Sequence, residues 1–148
     1  RKEAEDYISL YFTRLQRVKQ YQEELVEQAR SDGQVRTLFG RIRPVPELKS
    51  RNYQQREFGI RTAINAPIQG SAADIIKKAM ITIQDRLTSE NLAAFMVLQV
   101  HDELVFEVKK DRAPALEAMV KKEMEQAVSL KVPLKVGIQT GENWREAH

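Results

Sequence analysis

His101, Asp102 and Glu103 put an imidazole and two carboxylates at consecutive positions. They interrupt the run Phe95-Met-Val-Leu-Gln-Val-His-Asp-Glu-Leu-Val-Phe-Glu-Val108, whose two flanking segments are apolar and β-prone. A segment apolar on both faces reads as a central, fully buried strand. A three-residue polar step between two such strands reads as a tight hairpin tip. The tip lacks the Asn-Gly or Asp-Gly that short hairpins favour, so turn propensity did not select these residues. Adjacent carboxylates at the edge of a buried sheet repel each other and lose hydration, and a divalent cation relieves both costs. Asp102 and Glu103 are therefore the candidate metal ligands.

A second pattern suits binding. Arg61, Asn65 and Gln69 recur every four residues, so on a helix they share one face and span ~12 Å. That length matches three to four base pairs at ~3.4 Å each. All three side chains donate hydrogen bonds, and the minor groove offers acceptors at nearly the same place in every base pair. Such a row could check base-pair geometry without reading sequence. Three polar residues on a helix face are also what ordinary solvation produces.

Helices must carry most of this chemistry. Ile8, Tyr11, Leu15, Val18, Leu25 and Ala29 form one apolar stripe, predicting a long first helix that Gly33 ends. Gln34 to Leu38 and Arg41 to Arg43 alternate about Gly40 and predict a small hairpin, made basic by Arg36, Arg41 and Arg43. Charge on a solvated edge explains that basicity, as does contact with phosphates. Glu47 to about Gln55 reads as a polar loop or short helix. A second long helical stretch follows to Leu87, with Ile64, Ile68, Ala72, Ile75, Ala79, Ile83 and Leu87 as its stripe. Pro67 predicts a kink there, or a break into two helices, and the sequence leaves both open. Asp111 is the expected cap of a third helix reaching about Ser129. Val132 to Ile138 reads as a further strand, and Glu142-Asn143-Trp144 as the start of a terminal helix.

Composition narrows the classes. The chain has 148 residues, 42% of them hydrophobic, with a formal net charge of +3. That is ordinary for a globular domain or a piece of one. With no cysteine, disulfides, a thiol nucleophile and a thiolate zinc site are excluded. No apolar run approaches the ~20 residues of a membrane span and no signal peptide is visible, so a cytoplasmic location is expected. The opening Arg1-Lys2-Glu3-Ala4, with no Met, reads as a piece of a longer protein. There is no glycine-rich phosphate loop, no Gly-x-Ser-x-Gly elbow and no His-Glu-x-x-His.

Combined, these patterns resemble one family. Arg61-Thr-Ala-Ile-Asn-Ala-Pro-Ile-Gln-Gly-Ser-Ala-Ala-Asp-Ile-Ile-Lys-Lys-Ala-Met80 resembles the family A (bacterial polymerase I type) DNA polymerases. Leu98 to Val108 resembles that family's third catalytic motif. The first helix, the Thr37 to Pro46 hairpin and the tail around Val132 and Trp144 follow in the family's order. The resemblance implies an α/β (α+β) fold with long helices on a small antiparallel sheet that carries the catalytic hairpin. It implies that residues 1–148 are one incomplete piece, part of the palm with the end of the fingers. By position, Asp102 is one of two carboxylates holding a pair of Mg²⁺ ions, with Glu103 an auxiliary acid and His101 near the primer terminus. Arg61, Asn65 and Gln69 line the minor groove of the primer-template, and Gln99 is a candidate near the primer. Implied partners are primer-template DNA, a dNTP and the rest of the polymerase, with no membrane.

The departures matter too. The family's first motif, with the other essential aspartate, is not in this chain. Neither is the fingers helix that binds the triphosphate, nor the thumb. The chain alone is therefore expected to be inactive, and the hairpin to lack a neighbouring strand. Arg14-Leu-Gln-Arg17 replaces a common Tyr-Pro-Gly turn, which predicts a more continuous first helix. A non-catalytic duplex-binding module or a purely structural fragment stays open at this stage. An independent metal nuclease has little support, because only one local carboxylate pair is available.

Overall fold

The first apolar stripe folds into helix, but in two pieces, α1 (Lys2–Arg14) and α2 (Gln16–Asp32). In this computed structural model, which describes residues 2–147, Leu15 leaves the helical region at φ −116°, ψ 58°. The expected continuous helix is thus corrected, even without Pro or Gly at the break. Leu15 is exposed, so water can satisfy the amides that lose helical partners, and propensity does not decide continuity there. No residue of α1 is buried; of the stripe only Ala29 is buried, joined by Val26, which lies outside the stripe. Gly33 closes α2 in the left-handed conformation at φ 70°, its N–H donating to Ala29 O, the usual glycine end to a helix.

The chain divides into two compact units, Arg1–Ser71 and Ala72–His148. In the first, β1 (Gln34–Arg36) pairs antiparallel with β2 (Ile42–Pro44), Val35 opposite Arg43. A single 3₁₀ turn at Pro46–Lys49 follows. Val26, Ala29, Val35, Val45, Leu48 and Ala63 form the core. The long helix α3 (Tyr53–Ser89) begins in this unit. It runs through Pro67 as one α-helix, which decides between the kinked and two-helix readings in favour of one element. Gly59 faces the 3₁₀ turn so closely that a Cβ there would lie 2.8 Å from Leu48 N.

The stripe on α3 is also corrected. Ile68 and Ala72 are exposed, whereas Ala63 and Pro67 are buried, then Ile76, Ala79, Ile83 and Leu87. No single 3.6-residue repeat contains both sets. Sequence periodicity averaged two different buried faces into one.

In the second unit β3 (Ala94–Val100) pairs antiparallel with β4 (Glu103–Val108), with an irregularity that leaves Val97 unpaired. Helix α4 (Ala113–Glu125) packs Leu116, Met119 and Val120 against Ala79, Ile83, Leu87 and Ala94. Arg86 joins α3 to α4 through Glu123 Oε1 at 2.9 Å and also bonds Glu90. These hydrogen bonds, to Glu90 foremost and then to Glu123, raise the Arg86 pKa further. Among the described residues no helix is long and apolar enough to cross a membrane.

Four further expectations change. Phe95 is 70% exposed and Val97 and Leu98 are exposed with it, so β3 is not a buried central strand. It has one partner strand, and burial needs both faces covered, whereas among the described residues only the Ala94 and Met96 face packs on the core. Asp111 caps nothing: it sits in a 3₁₀ turn beside Arg112, and α4 stops at Glu125. Residues 132–138 form no strand; Val136 N–H donates to the Glu125 carboxylate, Oε1 at 3.1 Å, rather than to a neighbouring strand. The terminal helix is a single turn, closed by Glu146 N–H on Asn143 Oδ1 at 3.1 Å.

Candidate functional site

The hairpin tip is tighter than its polar step implied. Val100 pairs with Glu103, so Glu103 belongs to β4 and the turn is only His101 and Asp102. His101 has φ 55°, where short hairpins normally place glycine. A side chain in that region costs about 1–2 kcal/mol. Gln99 Nε2 donates to His101 O at 3.0 Å and so braces the strained residue. This use of its amide competes with the expected contact near a primer.

Asp102 and Glu103 are both exposed at the tip, and no hydrogen bond or ion pair reaches Asp102 from the described residues. Hard carboxylate oxygens of this kind suit Mg²⁺, which keeps several waters and takes few protein ligands. Among the described residues no group of three or more His, Cys, Asp or Glu could hold a metal ion. The pair fits the ion in donor type and would supply only part of its coordination. Asp102 and Glu103 also line a groove of about 1420 Å³ with Phe106, Val120, Ile138 and Trp144. It runs between β4, α4 and the C-terminal segment, all within the second unit.

The structure gathers Arg61, Asn65 and Gln69 on one exposed face of α3. That face is opposite Gly59, Ala63 and Pro67, which turn inward two residues, or ~200°, away. None of the three side chains has a polar partner among the described residues. Their donors are available, as minor-groove contact requires. They lie in the first unit, and the carboxylate tip lies in the second.

Of the two basic candidates on the hairpin, Arg36 keeps only a long bond to Gly40 O, 3.4 Å. Arg41 is engaged: its Nη2 donates to Gly70 O at 3.0 Å. Beside it, Leu38 N–H donates to Ser71 Oγ at 2.8 Å. The sequence reading missed this seat. Its one available signal was the weak helical turn Pro67–Ser71, which in the sequence suggests only a kink or a break.

The sequence pattern that defines the family described as DNA polymerase family A matches residues 1–146. The chain belongs to the family A DNA polymerases. It is 50% identical over 147 residues to DNA polymerase I of Geobacillus stearothermophilus, covering 99% of this chain and 17% of that protein. DNA polymerase I of Bacillus subtilis (strain 168) matches at the same 50% identity, with 99% and 17% covered. The chain thus spans about a sixth of the length of these curated relatives. Among solved structures, the POL domain of Pol1 from M. smegmatis, in complex with DNA primer-template and dNTP, superposes with a TM-score of 0.95 at 46% identity. That match covers 99% of this chain and 26% of the other. The α+β arrangement is accordingly that of a polymerase-domain fragment.

Proposed function

We propose that this chain is the part of a DNA-directed DNA polymerase that carries the third-motif carboxylates and the minor-groove helix. Its work is template-directed transfer of a nucleotide from a dNTP to a primer 3′ hydroxyl. The observation that carries this reading is the two-residue turn that presents Asp102 and Glu103 outward, in a chain of this family.

Asp102 is a metal-binding carboxylate, paired with an aspartate from outside this chain. Glu103 is an auxiliary acid, and His101 lies beside the primer terminus. Mg²⁺, when bound, supplies activation of the 3′ hydroxyl and stabilisation of the leaving pyrophosphate. Arg61, Asn65 and Gln69 donate to purine N3 and pyrimidine O2 edges of the primer-template, holding the duplex in register. Arg36 is free to approach a phosphate, and Gln99 reaches the primer side through the His101 turn. Work on DNA, alongside bacterial relatives of this family, supports a cytoplasmic location.

Residues 1–148 form an incomplete polymerase domain in this reading, and the chain alone is inactive. Its coverage of only 17% of the curated relatives and the exposed apolar strand β3 both support that. The test is Mg²⁺-dependent primer extension by this chain alone, then with a chain supplying the first motif and the fingers helix. Extension only in the mixture, lost with Asp102→Ala, is the expected result. No extension by a mixture shown to form a folded complex overturns the reading. Duplex binding that then persists leaves a non-catalytic DNA-binding module.

A further inference from the structure

The weakest turn of α3 is also the turn to which the β1–β2 connection is fastened. Pro67 has no N–H to give Ala63 O. Gly70 costs a helix interior roughly 1 kcal/mol against alanine. Ser71 Oγ donates back to Pro67 O at 2.5 Å, a bond that competes with regular helix and bends it. Together these three features loosen the helix from Ala63 to Ser71, Gln69 included.

Against that turn the hairpin connection makes three contacts. Leu38 N–H reaches Ser71 Oγ at 2.8 Å, and the Arg41 guanidinium reaches Gly70 O at 3.0 Å. Thr37 fills the space over Gly70 so closely that a Cβ there would lie 2.6 Å from Thr37 Cγ2. Thr37 cannot simply swing away. It is β-branched, and its Oγ1 accepts the Arg41 N–H at 3.1 Å.

We propose that Thr37, Arg41, Gly70 and Ser71 form a latch that positions Gln69 for its base-pair contact. This rests on the minor-groove reading of Arg61, Asn65 and Gln69 and adds what sets the third rung. Arg61 precedes the loosened stretch and Asn65 lies at its start, away from the hairpin contacts at Gly70 and Ser71. Gln69 lies within it, and its direction depends on a connection some thirty residues earlier in the chain. Arg41 is then a positioning residue rather than a phosphate ligand.

The experiment is duplex binding by the assembled polymerase, read by anisotropy of a labelled primer-template. One duplex is natural. The others carry a single 3-deazapurine, which lacks the N3 acceptor, at successive pairs. Gln69→Ala should weaken the natural duplex about fivefold, as expected for one lost hydrogen bond. Its loss should vanish on the one duplex deprived of the matching acceptor. Gly70→Ala should reproduce that pattern at the same pair, and Thr37→Ser, which removes Cγ2 but keeps Oγ, should rescue it. If Gly70→Ala fails to fold by circular dichroism, Ser71→Ala replaces it, removing the hydroxyl without added bulk.

Wild-type binding by the latch variant overturns the proposal. So does a loss that is equal on every duplex, because a merely structural role predicts that. Failure of the underlying reading looks different: Arg61→Ala, Asn65→Ala and Gln69→Ala would all bind like wild type.

Discussion

At the scale of single residues, Asp102 and His101 carry opposite kinds of cost. Asp102 has an exposed carboxylate with no partner among the described residues to lose. Asp102→Asn should therefore leave the thermal midpoint of the assembled polymerase unchanged while lowering primer extension about a thousandfold, since a metal contact contributes several kcal/mol. An equal fall in stability and activity would argue for a structural aspartate. His101 stands at φ 55°, so His101→Gly should stabilise the hairpin by about 1 kcal/mol. Urea unfolding checks this, with His101→Ala as the control that brings no gain. If glycine brings no gain either, the turn is not strained by its side chain.

At the scale of elements, the second half of α3 is fixed by burial. Ile83 is fully buried against α4 and β3, whereas Ile81, two positions away, is 64% exposed. Ile83→Ala should cost about 3 kcal/mol and Ile81→Ala less than about 0.5 kcal/mol. Equal midpoint shifts in denaturant would mean that α3 and α4 do not share a core. These elements were legible to different degrees. The β1–β2 hairpin followed from alternation about Gly40 and the β3–β4 hairpin from two apolar, β-prone runs about a polar step, because both are local signals. The carboxylate tip and the Arg61–Asn65–Gln69 row were legible for the same reason. The Leu15 break, the two buried faces of α3 and the unformed strand at 132–138 were not. Each depends on what packs alongside, which no window of sequence contains. The seat of Arg41 and Leu38 on Gly70 and Ser71 joins segments far apart in the chain, and periodicity has no access to such a pair.

At the scale of the whole molecule, surface decides. In the second unit, Phe95, Val97 and Leu98 expose apolar side chains on a strand with only one partner. Unpaired strand edges and apolar patches recruit other chains. Alone, the chain should elute from gel filtration as concentration-dependent associates, and adding a chain that supplies the missing strand should abolish them. A monomer at every concentration, with no dye binding to exposed apolar surface, would sink the incomplete-domain reading. The two helical glycines carry a last consequence, for the order in which substitutions can accumulate. At Gly59 the obstacle to a methyl group is the backbone of Leu48, and at Gly70 it is the side-chain methyl of Thr37. Backbone cannot be substituted away, so no side-chain change clears position 59 for alanine. Position 70 opens once Thr37 Cγ2 is gone, as after Thr37→Ser, and Gly70→Ala can then be accepted. A lineage that takes the steps in the reverse order passes through an impaired intermediate, so the history of this helix is written in a threonine outside it.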